Sequence, residues 1–325
     1  MNHVVAADIG GTNIRLAIID SHGQIIDESR LQAELSQHAE QSQAAAETHI
    51  IKTLTGAIQP FINKHAVNKL GMGFPGFFLN QGGLLASSPN LPLLQNFALA
   101  DRLSEALDIS VSIENDALCA AIGEQKYGAG QGCANLLHIT LGTGIGSGLI
   151  LNNIPYSGEH GMAMEFGHLC IDHHDGRLCG CGNHGCVEAY ASATALMKRF
   201  SEICQCEIVD TKSIFEQARQ GHACAVTITN EAGKYLGMAM AEAVKLLDVT
   251  TITVSGGLSG GWDILYPPLK HELDNNLISP LKGKVDVLPS RLDDNAGLLG
   301  AATIARTGRA DTRCFITPPN KKRGG

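Results

Sequence analysis

Apolar and polar positions alternate in short blocks along this chain, and one arrangement of blocks occurs twice. Residues 4–27, VVAADIGGTNIRLAIIDSHGQIID, read as an apolar strand, a turn holding Gly10 and Gly11, a second strand, a polar turn at 21–23 and a third strand. Residues 136–157, LLHITLGTGIGSGLILNNIPYS, follow the same plan, with a glycine turn at 142–146 and a turn at Asn152 and Asn153. A plan repeated about 130 residues apart predicts two related domains, each offering a loop to a cleft. Between the repeats, Ile50, Leu54, Ile58 and Ile62 recur every four positions and predict a helix over 39–65 with one buried stripe. A strand at 70–74, a loop over 75–92, a helix near 98–107 and a strand at 110–114 follow. Helices are expected near 191–204, 213–220 and 223–247, then a strand at 251–257. A last helix near 294–307 should return to the first domain.

Each hairpin carries small residues and a threonine at its bend, Thr12 in one and Thr143 in the other. Backbone amides and a hydroxyl can therefore approach a ligand, as in a phosphate cradle. Most glycine turns simply turn, so one alone is weak support; the repetition strengthens it. The first turn lacks the lysine and spacing of a Walker loop. The second lacks the strand-to-helix context and distant acid of a dinucleotide fingerprint.

At 325 residues, 44% of them hydrophobic, the chain is long enough for two cores. No apolar run reaches membrane-spanning length, and the start, MNHVVAADIGG, lacks the features of a signal peptide, so a cytoplasmic protein is expected. A formal charge of -8 argues against nucleic acid as a main partner. The basic run Lys321, Lys322 and Arg323 follows two prolines, and 316–325 is expected to be a disordered tail.

Ten cysteines without an export signal read as thiols and metal ligands rather than disulfides. His168, Cys179, Cys181 and Cys186 form an H-x10-C-x-C-x4-C array, flanked by Glu165 and Glu188. Three thiolates and one imidazole complete a tetrahedron with no position open to water, which points to a structural Zn2+ that fixes the loop carrying the glutamates. The competing account, a Cys179–Cys181 disulfide with His168 a core histidine, requires a strained bridge. Cys204 and Cys206 form a second short pair, read as ordinary structural thiols.

The motifs DIGGT (8–12), GMGFPG (71–76), SPNLP (88–92), ENDA (114–117), LGTGIGSG (141–148), EFGH (165–168) and CGCGNHGCVE (179–188) occur in an order that resembles the ROK family, from about residue 4 to 305. The resemblance implies an α/β fold of the actin-like ATPase type, hexokinase-like and related to RNase H, in two domains that close on sugar and ATP. The first would be 1–116, rejoined by the helix near 294–310; the second would be 117–293, with the zinc loop. Family members are ATP-dependent sugar kinases or sugar-responsive repressors. The repressors carry a winged helix-turn-helix ahead of the first phosphate strand, which here begins at Val4, and so a kinase is expected.

The family's base matches Asp116, which would accept the proton of a sugar hydroxyl as the γ-phosphoryl group moves in line. Asp116 can equally cap the helix that follows, and the two roles are compatible; a helix N-terminus keeps its carboxylate ionised. Asn115, Glu165, His168 and Glu188 match sugar-binding positions. In the family the histidine binds zinc through one ring nitrogen and can offer the other to sugar. Gly76 and Asn90 are further sugar candidates, Asn90 being as readily a turn residue between prolines. Asp8 matches the residue that holds Mg2+ near ATP. Gly10, Gly11 and Thr12 would meet the phosphates from one domain, and Gly142, Thr143 and Gly144 from the other. Gly256 and Gly257 fit the adenosine segment. Asn13 stands where many family kinases have lysine, with Arg15 nearby.

The run EQKYGAGQGCANLLHITLGTGIGSGLIL is most similar to glucokinase branches, so transfer to the 6-hydroxyl of glucose is expected. The alternatives are N-acetylglucosamine, N-acetylmannosamine, fructose, mannose or allose, or a non-catalytic sugar sensor. A zinc hydrolase is disfavoured by the closed ligand set. The resemblance also implies a homodimer.

Overall fold

A computed structural model describes residues 3–10, 13–32, 35, 42–79, 83–207 and 210–308. The strands are β1 (Val4–Ile9), β2 (Asn13–Ile19), β3 (Ile25–Gln32), β4 (Lys69–Phe74), β5 (Phe77–Leu79), β6 (Leu84–Ser87), β7 (Gln95–Phe97), β8 (Ser110–Asn115), β9 (Leu136–Leu141), β10 (Ile145–Leu151), β11 (Ile154–Tyr156), β12 (Thr251–Ser255) and β13 (Asp286–Pro289). The helices are α1 (Gln43–His65), α2 (Leu99–Leu107), α3 (Asp116–Tyr127), α4 (Glu188–Ala191), α5 (Ala193–Cys204), α6 (Thr211–Arg219), α7 (Ala223–Leu247), α8 (Trp262–Asn276) and α9 (Ala296–Thr307).

The repeated pattern becomes a repeated topology. Two five-stranded sheets have the same order, β3-β2-β1-β4-β8 and β11-β10-β9-β12-β13. In the first, β1, β4 and β8 are parallel while β2 and β3 return antiparallel. In the second, β12 runs parallel to both β9 and β13.

The chain forms two compact units, one of residues 1–135, 148–163 and 295–325, the other of 136–147 and 164–294. In the first, the α1 stripe of Ile50, Leu54, Ile58 and Ile62 packs with Val5, Ala7, Ile9, Ile14, Leu16 and Ile18 in one core. Each such side chain contributes about 1.5–3 kcal/mol on burial. The opposite face is lined by small residues so that helices approach closely. A Cβ on Gly71 of β4 would lie 1.8 Å from the Ala301 carbonyl oxygen, and one on Gly300 of α9 would lie 1.7 Å from that of Cys119. α3 is held by α9 in the same way, Gly123 against Ala296, which is why α3 stays in the first unit instead of opening a second domain at residue 117.

One expectation needs correction, and two elements were not predicted. The stretch 75–92 is not simply a loop, since β5 and β6 lie in it and join β7 in a small antiparallel sheet. These strands of three or four residues are too short to show a period. α8 was not expected because Pro267 and Pro268 interrupt it. An interior proline costs about 3 kcal/mol, which the buried stripe Leu265, Leu269 and Leu273 offsets, with Gly233 and Gly237 of α7 in close backbone contact. β13 was also missed, being a four-residue strand with one proline. The start of the expected helix at 39–41 and the tail 316–325 lie outside the described residues. No described helix is long and apolar enough to cross a membrane.

Candidate active site

In the first unit, the parallel strands β1, β4 and β8 bring their carboxyl ends into register. Asp8 pairs with Gly73, and Gly73 with Glu114. Ligands of open α/β sheets bind beyond such ends. Asp116 opens α3 just past β8, and its Oδ1 accepts the Ala117 amide at 2.9 Å. The helix cap is not Asp116 but Asn115, whose Oδ1 accepts the Leu118 amide at 3.0 Å while its Nδ2 donates to the Gly76 carbonyl at 3.1 Å. Asn115 thus ties the strand end to the 75–76 turn, whatever else it contacts.

Three carboxylates gather around one buried thiol. Burial, and then the charges of Glu114, Asp8 and Asp116, hold Cys119 well above its ordinary pKa. Glu114 is raised to about 7 by loss of water, only partly countered by the Asn115 amide at 2.8 Å. Asp116 keeps a partly open surface, yet the packing around it also raises its pKa, with the Ala117 amide opposing. Burial therefore outweighs the helix end, contrary to the expectation of a simply ionised carboxylate. Glu114 was not among the expected site residues. Its signal was a charge on the same strand face as buried Ser112, in the run SVSIE.

The remaining first-unit candidates are less uniform. Gly10 is exposed, its amide bonded to the Asn13 carbonyl at 2.8 Å, and leaves a bare turn; Gly11 and Thr12 lie outside the described residues. Gly76 is buried and packs where a Cβ would meet Leu85 at 2.5 Å. Asn90 is exposed in the turn closed by the Leu91 amide on the Ser88 carbonyl, in agreement with its turn reading. Arg15 is committed inward, to Glu28 at 2.8 Å and Asn295 at 2.9 Å.

In the second unit the candidates converge. The Gly142 amide bonds the Gly144 carbonyl at 3.0 Å, closing the β9–β10 turn with Thr143 exposed at its tip. Glu188, at the start of α4, reaches that turn, its Oε2 accepting the Ile145 amide at 2.7 Å. A Cβ on Gly144 would lie 2.5 Å from the same oxygen, so the turn is glycine where the carboxylate presses on it. The other oxygen of Glu188 lies 3.8 Å from Cys179 Sγ. Gly256 follows β12 with φ +94, and a Cβ there would strike the Leu141 carbonyl at 2.3 Å, while the space beside Gly257 is open.

His168, Cys179, Cys181 and Cys186 place their ligand atoms within 4.8 Å of one another. Cys181 and Cys186 sulfurs are 3.7 Å apart, and Cys179 Sγ lies 3.6 Å from His168 Nδ1. Metal–sulfur bonds of about 2.3 Å and metal–nitrogen bonds of about 2.0–2.1 Å require tetrahedral edges of roughly 3.8 and 3.6 Å. The donor set and its spacing therefore fit a zinc-sized ion. Burial, with the neighbouring sulfurs, pushes the Cys186 thiol up to about 12, a cost that a bound cation reverses. The second ring nitrogen of His168 faces Glu165, Nε2 to Oε2 being 3.6 Å. A continuous set of contacts thus runs from Glu165 through His168 and Cys179 to Glu188 and the glycine turn.

The model of the ROK family matches residues 4–308. A glucokinase of Streptomyces coelicolor is 32% identical over 323 residues, 94% of this chain and 98% of its own. An N-acetylmannosamine kinase of Yersinia pestis is 32% identical over 310 residues, 94% of this chain and 99% of its own. Among solved structures, a ROK family glucokinase from Streptomyces griseus in complex with glucose and AMPPNP is similar with a TM-score of 0.79 at 31% identity, covering 94% of this chain and all of the other.

Proposed function

Since the chain belongs to the ROK family, matched over residues 4–308, we propose that it is an ATP-dependent hexose kinase that transfers the γ-phosphoryl group of ATP to the 6-hydroxyl of glucose. The observation that carries this reading is the near full-length similarity to glucokinases in sequence and in fold, the latter of the actin-like ATPase type. Asp116 and the two glycine turns supply the chemistry, and a sensor needs neither.

A sugar hydroxyl is a poor nucleophile at neutral pH. Asp116 orients it and accepts its proton as the bond to phosphorus forms, and a carboxylate of raised pKa is the better base. Asp8, at the end of β1, would hold the Mg2+ that accompanies ATP. Gly10, Gly11 and Thr12, with Gly142, Thr143 and Gly144, offer amides and hydroxyls to the phosphates. Gly256 and Gly257 leave room for the adenosine. Glu165, His168, Glu188 and Asn115 pair with sugar hydroxyls, with Gly76 and Asn90 as outer contacts. A sugar lacking one hydroxyl leaves a buried partner unpaired and is rejected. His168, Cys179, Cys181 and Cys186 would hold Zn2+, which supplies rigidity to the loop between Glu165 and Glu188. Assembly as a homodimer follows from the family and is read by light scattering.

The Yersinia pestis relative shares the same 32% identity, over 310 residues against 323, which makes N-acetylmannosamine the second acceptor to weigh. ADP release measured across glucose, mannose, allose, fructose, N-acetylglucosamine and N-acetylmannosamine decides the matter. The highest kcat/KM is expected with glucose. A higher value with N-acetylmannosamine transfers the reading to that sugar, and no ADP release with any of them leaves a sensor.

A further inference from the structure

One group of metal-binding side chains has no part in this chemistry. Cys204 is the last residue of α5, and Gln205 behind it takes the left-handed conformation, φ 49, so the chain turns back at Cys206. The Ser201 hydroxyl holds that turn by donating to the Cys206 carbonyl at 2.6 Å. His222 precedes α7, its amide bonded to the Gln217 carbonyl at 2.9 Å and its ring 6.1 Å from that of Phe200. Cys224 lies in the first turn of α7. The ligand atoms of Cys204, His222 and Cys224 fall within 4.8 Å of one another, and Cys206 lies two residues beyond Cys204, outside that group.

The end of one helix and the start of another thus assemble two sulfurs and an imidazole from segments that the sequence separates. With Cys206 counted, the residue types are those of the first cluster, including the C-x-C step, Cys204-Gln205-Cys206 beside Cys179-Gly180-Cys181.

We propose that Cys204, His222 and Cys224 form a second metal site that takes Zn2+ or a similar borderline-soft divalent cation, with Cys206 turning in as the fourth ligand on binding. Metal binding releases the thiol protons and staples the end of α5 to the start of α7. Cys206 and His222 are exposed, so this ion exchanges more readily than the one at His168. The proposal replaces the reading of Cys204 and Cys206 as ordinary structural thiols, and it does not depend on the kinase assignment.

The test is metal stoichiometry on the reduced full-length protein, loaded with Zn2+, desalted and measured by mass spectrometry, then titrated with Co2+ and followed by its thiolate charge-transfer band. Two equivalents per chain are expected. The double variant Cys204→Ser/Cys224→Ser should keep one and phosphorylate sugar at the wild-type rate. Because that variant removes two half-buried sulfurs, Cys206→Ser serves as the milder probe; it should weaken the second site by roughly 10-fold or more against a chelator. One equivalent retained by both wild type and double variant overturns the proposal, as does a Cys204–Cys224 disulfide in place of metal in the loaded protein. A wild-type value of one that falls to zero in the double variant supports the second site and removes zinc from the first.

Discussion

Two opposing effects meet at Asp116. The helix end and the Ala117 amide favour its carboxylate, while loss of water favours the acid, and the second prevails. Asp116→Asn keeps the shape and the amide contact but cannot accept a proton. Turnover should fall roughly 100-fold or more, with circular dichroism and sugar affinity near normal; wild-type turnover would remove the base assignment. Glu114 extends the same physics. Its folded pKa of about 7 exceeds the ordinary 4.5, so the folded protein binds the extra proton, and stability is fully present below the lower value and declines as pH rises through the higher one. Glu114→Gln should therefore raise the melting temperature at pH 8, by up to about 3 kcal/mol in stability, and change it little at pH 4. An equal effect at both pH values would mean that Glu114 acts through packing instead. The motif ENDA offers Asp116 as the candidate base, but the helix cap falls to Asn115. Asparagine and aspartate are both cap-forming types, and only the end point of the strand decides which of the two caps the helix.

At the scale of elements, the β9–β10 turn, α4 and the cysteine loop act together because Glu188 touches both of the others. Gly144→Ala tests this arrangement. The added Cβ displaces the Glu188 carboxylate, and a shift of about 1 Å at a positioning group costs up to roughly 100-fold in rate. Steady-state kinetics should show kcat/KM for the sugar falling at least 10-fold while the protein still folds. Retained sugar kinetics would show that the clamp is only structural. The turn and the cysteine spacing were legible because each is built within a few residues. The small sheet β5-β6-β7 and the proline-containing α8 were not. Short strands show no period, and the packing of α7 on α8 overrides a local penalty that sequence reading takes at face value.

For the whole molecule, the His168, Cys179, Cys181 and Cys186 cluster is where the proposed metal and sugar sites would join. Stripping metal with a strong chelator should weaken sugar binding before nucleotide binding, because Glu165 and Glu188 flank the cysteine loop directly, while that loop meets the proposed phosphate contacts only through Glu188 at the 142–144 turn, and Asp8 and Gly10 lie in the other unit. Calorimetric titration of the metal-free, folded protein with glucose and with ATP reads the two affinities; an unchanged glucose affinity would mean that the loop holds its shape without metal. The amino-acid sequence by itself determined the duplicated strand plan, the family motifs, the α1 stripe and the first ligand array, since each is written in near neighbours and in turn chemistry. Tertiary structure alone decided that α3 stays with the first unit, that burial raises Asp116 and Glu114, that Arg15 turns inward to Glu28, and that His222 and Cys224 come to Cys204. Desolvation, backbone contact at glycine and convergence of donors arise between segments far apart in the chain. They exist only once packing has brought those segments together.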